Sequence, residues 1–86
     1  MKSTTMLINS KVQEGYKRFH SFVRTYDEGD TTKEFLSRDI YSLRIKIASL
    51  SQKAETKTAR EKIERFVKMC DTRLQLLAKE GEQNEN

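Results

Sequence analysis

Between Thr4 and Tyr26, apolar side chains recur every three or four positions: Ile8, Val12, Tyr16, Phe19, Val23 and Tyr26. That spacing places them on one stripe of a helix, thickened by Leu7 and Phe22. Gly15 interrupts the pattern at a cost of about 1 kcal/mol relative to alanine, which a packed helix tolerates. Gly29 follows Tyr26-Asp27-Glu28 and is placed as a stop. A second run, Leu36, Ile40, Leu43, Ile47 and Leu50, advances by alternating steps of four and three, the seam of a helix packed on another helix. Ahead of it Thr31-Thr32-Lys33-Glu34 reads as a capping box. The Thr31 hydroxyl accepts from the Glu34 amide, and the Glu34 carboxylate accepts from the Thr31 amide.

Ser51–Lys57 is polar, and Thr58-Ala59-Arg60-Glu61 repeats the capping signature. Ile63, Val67, Cys70, Leu74 and Leu77 then repeat the seam, with Phe66 widening it. Gly81 is expected to end this helix, leaving a polar, acidic and disordered tail. The pattern predicts an all-α fold. One domain covers 1–80, with helices at about 4–26, 32–53 and 58–80 and a tail at 81–86. Two seams of equal length on a short connection predict an antiparallel helical hairpin.

Composition adds a size constraint. Of 86 residues, 35% are hydrophobic and 35% charged. A chain this short buries only about 60% of its extended surface, so a core built from one copy is marginal and a compact homo-oligomer is expected. The absence of proline and the three glycines suit helices better than a turn-rich sheet. The net charge of +4 suggests an anionic partner only weakly, because acids interleave with the bases along the whole chain. A single cysteine excludes an intramolecular disulfide and suits a reducing cytoplasm. No apolar run approaches the roughly 20 residues a membrane span needs, and MKSTTMLINSKV is too polar for a signal peptide.

Candidate chemistry favours binding over turnover. His20, the one histidine, lies beside the first stripe without a nucleophile at a diagnostic spacing. Cys70 lies on the third seam, where a free cysteine behaves as a small hydrophobe. Asp27, Glu28, Asp30 and Asp39 match no calcium loop, and no metal or cofactor is expected. Lys17, Arg18 and Arg24, and then Arg60, Lys62, Arg65 and Lys68, are candidate phosphate contacts. Glu61 and Glu64 interrupt the second group, and intrahelical ion pairs explain the pattern equally well. Thr25–Asp39 holds the densest chemistry: Tyr26, an acidic turn, a helix start and Arg38. A ring that stacks on a base and a guanidinium that holds a phosphate are the parts of a small nucleotide site. On residue types alone, a packed Tyr26 and a solvated Arg38 are the simpler account.

The order Thr25-Tyr26, a short polar loop, Lys33, then Leu36-Ser37-Arg38-Asp39 and two helices resembles the phage-encoded anti-CBASS cyclic-oligonucleotide sponges. The likeness covers roughly residues 25–79. The chain departs from that family in having Asp27 where members often carry histidine, and in a shorter loop. It also lacks Cys-Pro at the hairpin bend and Met-Trp-Ala-Asn in the last helix.

The resemblance implies sequestration without cleavage. Helical protomers, assembled as a hexamer, hold cyclic di- and trinucleotide messengers in the host cytoplasm, so that the immune effector is never switched on. By the same resemblance Tyr26 matches the tyrosine that stacks on a base. Arg38 matches the basic residue at the phosphates, and Lys79 a basic residue of a separate cyclic-trinucleotide site. The expected protein is then no enzyme and has neither membrane nor nucleic-acid polymer as partner. The alternative from another class is a small basic helical phage protein that binds DNA or a host transcription or replication factor. A third is a purely structural interaction module.

Overall fold

The computed structural model describes residues 4–84, with side chains for residues 6–80. They form three α-helices and no strand: α1 at Thr4–Asp27, α2 at Lys33–Ala48 and α3 at Lys57–Asn84. A 3-10 turn, Ser49–Lys53, joins the last two. The Cα trace is a rod about 54 Å long.

α1 stops where glycine permits it. The Asp30 amide donates to the Thr25 carbonyl at 3.0 Å and the Gly29 amide to the Tyr26 carbonyl at 3.0 Å. This is a Schellman motif with Gly29 at φ +82°, a conformation costly to any residue with a Cβ. Beyond this motif the cap of α2 is Thr32, not the predicted Thr31: extended at φ −98° and ψ 163°, it accepts from the Phe35 amide at 3.3 Å. Phe35 stands where a capping box needs a carboxylate, so the reciprocal bond expected from Glu34 is replaced by a one-sided cap.

The predicted helix over 32–53 is broken near its end. Ser49 donates through its hydroxyl to the Lys46 carbonyl at 2.7 Å, and the backbone tightens into the 3-10 turn. Ala54 then turns extended. α3 is capped by Thr56 instead of Thr58, its hydroxyl accepting from the Ala59 amide at 3.1 Å. The shift places Ala59 inside the helix and fully in the core. At the other end α3 passes through Gly81, where a stop is expected from sequence. Glycine in a helix costs about 1 kcal/mol relative to alanine, a penalty and not a terminator, and no proline follows. The last two residues of the expected tail, 85 and 86, lie outside the described residues.

The core joins all three helices: Ile8, Val12 and Phe19, then Leu36, Ile40, Leu43 and Ile47, then Ala59, Ile63, Phe66, Cys70 and Leu77. The seam of α2 is as its spacing predicts, with Leu50 only half-buried. On α3 the centre of the buried face is Phe66, while Val67 and Leu74 are half-buried flanks. Packing against two helices turns α3 so that its widest side chain enters between them, and Phe66 meets Tyr16 edge to face at 5.0 Å. Leu7, expected to thicken the α1 stripe, is 52% exposed.

Candidate ligand-binding site

The Schellman turn brings Tyr26 to the end of α1, where its ring packs half-buried against the core. Its hydroxyl donates to Glu80 Oε2 on α3 at 3.4 Å. Burial, and next the negative Glu80, hold the phenol above its ordinary range, so Tyr26 is a neutral donor. One ring edge thus belongs to the bundle.

Arg38 lies two residues past Leu36, about 200° round α2 from the core side, and is exposed. Its guanidinium carbon stands 5.8 Å from the centroid of the Phe35 ring, which is itself exposed. Tyr41 and Ile45 lie on the same outward side and are exposed to similar degrees. An arginine among solvent-facing rings and aliphatic carbon can pair with a phosphate while a neighbouring ring takes a base. Sequence reasoning missed this patch, because Phe35, Tyr41 and Ile45 fall off the seam yet are apolar. Plotting α2 as a wheel would have found them.

Lys79 is exposed on α3, one residue before Glu80. The fold therefore places Tyr26 and Lys79 on adjoining helix ends and Arg38 on another face. Openings on the surface lie between α1 and α2 over Gly15, at two places between α1 and α3, and between α2 and α3. Tyr26, Arg38 and Lys79 line none of these four.

The cations expected to touch phosphate separate by environment. Arg18 pairs with Glu14 at 3.3 Å and Arg24 approaches Glu28 at 3.7 Å. Lys62, Arg65 and Lys68 line the α1/α3 openings, joined by Arg73 and His20. That clustering was hidden in the linear sequence because Glu61 and Glu64 sit between the bases, although Glu64 opens toward α2 with Asp71.

Among the described residues no three His, Cys, Asp or Glu side chains gather as a metal cluster. Cys70 is fully buried, and burial pushes its thiol up to about 11, which suits packing and not nucleophilic attack. No helix of the described residues is long and apolar enough to cross a membrane. The chain matches no protein-family model, no curated protein and no solved structure.

Proposed function

We propose that this protein binds and sequesters cyclic oligonucleotides without cleaving them, as a phage counter-defence sponge acting in the host cytoplasm. The observation that carries the reading is Arg38: a solvent-facing guanidinium held over Phe35, with Tyr41 nearby, one helix start away from Tyr26. In this reading copies of the chain associate, up to a hexamer, through the outward side of α2, with α2 and α3 as the antiparallel hairpin of each protomer. Exposed Phe35, Tyr41 and Ile45 supply apolar area for that contact. A two-fold pair of protomers presents Arg38 and Tyr26 twice to a ligand that is itself nearly two-fold symmetric. Tyr26 offers a ring face while its hydroxyl stays on Glu80. Lys79 serves cyclic trinucleotides in the same assembly.

Two stacks and two charge-assisted phosphate contacts amount to about 5–12 kcal/mol before the costs of binding. Tight retention therefore needs an assembly that holds these groups in place beforehand. The protein is incubated with a cyclic dinucleotide, separated from free ligand by filtration, and heated. Intact cyclic dinucleotide in the heated protein fraction is the expected result. A linear product makes the protein a nuclease, and no retention overturns the reading. Arg38→Ala is expected to weaken retention at least tenfold with the helical content unchanged.

A further inference from the structure

The α1/α3 face carries a feature that sequestration does not use. Three contacts hold the two helices side by side in the same direction: Lys62 Nζ donates to Asn9 Oδ1 at 3.1 Å, Phe66 meets Tyr16, and Tyr26 reaches Glu80. Between them run two openings, of about 530 and 260 Å³, which share Arg65. The floor of the larger one is carbon and sulfur: Phe19, Val23, Met69 and Leu76. Leu76 is 46% exposed, a large aliphatic side chain left in water by this fold. The rim is cationic along α3, with Arg65, Lys68 and Arg73, and is completed on α1 by His20, while neither opening is lined by a carboxylate.

Glu64 and Asp71 line the opening on the α2 side of α3, with Lys68 bordering both that opening and the α1/α3 trough, and Asp71 is engaged by Arg44. The cations toward α1 have no such partner: among the described residues, the ion pairs are Arg18–Glu14, Arg24–Glu28 and Arg44–Asp71. An apolar trough with unpaired cations along its edge is complementary to one kind of surface, an apolar stripe bordered by carboxylates.

We propose that the α1/α3 groove docks an acidic amphipathic helix of a partner protein. Laid along the trough, such a helix adds a fourth member to the bundle and covers Leu76 and Met69 with its own apolar stripe. Its flanking Glu and Asp side chains meet Arg65, Lys68 and Arg73. From Arg65 to Leu76 the trough is about 16 Å long, which fits three helical turns. A second copy that brought its own α1/α3 groove to this one is a poor occupant, because the pairing would set the same cations against each other. A polynucleotide would satisfy the rim but not the floor. Phe19, the phenyl ring of the floor, is buried and packed at 5.9 Å from His20, so it offers bases no open face.

The test uses the full chain and a fluorescein-labelled synthetic 15-residue peptide with leucine at i, i+3, i+4 and i+7 spacing, glutamate on both flanks and glutamine elsewhere. A scrambled isomer has the same composition and charge but no apolar face. Anisotropy is expected to give micromolar binding for the amphipathic peptide, at least tenfold tighter than for the scramble. The double variant Arg65→Glu/Arg73→Glu should lose at least tenfold. Lys46→Glu/Lys53→Glu, an equal change of charge on another face, should stay within twofold. Circular dichroism checks that all variants remain helical, and Leu76→Gln, an exposed substitution on the floor, gives a second readout expected to weaken binding severalfold. Equal affinity for the scramble, or no response to the groove variants, overturns the proposal. So does tighter binding of a 15-nucleotide oligothymidylate at the same residues, which makes the groove a nucleic-acid site. A groove variant that changes the sedimentation of the free protein equally overturns it, since a second copy then fills the trough.

Discussion

Tyr26 and Glu80 lie 54 positions apart in the chain, and the tyrosine hydroxyl donates to the glutamate across 3.4 Å. The bond fastens the end of α1 to the last described turns of α3, beside the turn where α1 gives way to α2. At that length it is weak, outside the usual 2.5–3.0 Å range for O–H···O contacts. Tyr26→Phe is therefore expected to cost less than about 1 kcal/mol of stability. Tyr26→Ala removes a half-buried ring and should cost about 1–3 kcal/mol, below the range for a fully buried aromatic. The two variants also separate roles in ligand binding. If the ring face stacks on a base, phenylalanine retains cyclic-dinucleotide binding within about threefold and alanine loses at least tenfold. Equal loss in both would assign the effect to the hydroxyl.

Gly15 shows why a helix-weakening residue sits in the middle of α1. A Cβ built there would stand 3.0 Å from Phe66 Cζ, 3.1 Å from Phe66 Cε2 and 3.2 Å from Ile47 Cδ1. Gly15→Ala gains about 1 kcal/mol of helix propensity, while overpacking at a buried junction costs about 1–3 kcal/mol. The expected result is a net loss and a melting temperature lower by a few degrees. Adding Phe66→Leu should recover part of that loss relative to Phe66→Leu alone. A higher melting temperature in Gly15→Ala would mean that Phe66 moves aside freely.

This close approach also marks the limit of what periodicity could tell. The α2 seam is legible because its buried residues, Leu36, Ile40, Leu43 and Ile47, are all aliphatic and need only a repeat to be found. On α3 the large ring of Phe66 sits beside the Val67 position of the seam, and Phe66 rather than Val67 takes the centre. Caps were misplaced for a related reason. Thr31 and Thr32, like Thr56 and Thr58, are chemically equivalent in sequence, and only the geometry of the preceding turn decides which hydroxyl is used. Of the candidate site, residue positions were legible but not their company. Tyr26 is tied to Glu80, Arg38 lies over the Phe35 ring at 5.8 Å, and the α1/α3 cations assemble only when two helices come together.

Arg44 and Asp71 make a two-pronged pair between α2 and α3, Nε and Nη2 of the arginine donating to the two carboxylate oxygens. The side chains are 31% and 43% exposed, so water screens much of the attraction. A double-mutant cycle of Arg44→Ala and Asp71→Ala should return a coupling of about 0.5–1.5 kcal/mol, reduced in 1 M salt. The same cycle on Arg18 and Glu14, more than half exposed within one helix, should return less than about 0.5 kcal/mol. Similar couplings for both pairs would show that the two-pronged geometry adds nothing.

Cys70 gives the fold a dependence on alkaline pH. Its thiol is fully buried in the core, and burial, with Asp71 as the second cause, moves it from an ordinary 9.0 up to about 11. The folded chain therefore keeps the proton over a range in which the unfolded chain has released it. Below about pH 9 both states hold the proton and the contribution is complete. Between about 9 and 11 the unfolded state gains stability by ionising while the folded state does not, so the free energy of unfolding falls as pH rises. Above about 11 both are ionised and the slope vanishes. The raised Tyr26 phenol acts in the same direction from about pH 10 upward. Urea melts at closely spaced pH values are expected to show this decline in the parent and a shallower one in Cys70→Ala. The comparison is of slopes, since the alanine variant starts from a lower stability because of the cavity it leaves. Native protein should also react with a maleimide far more slowly than urea-unfolded protein at pH 8, because the reactive thiolate is both scarce and enclosed. Identical slopes in the two proteins would mean that the Cys70 proton is not coupled to folding.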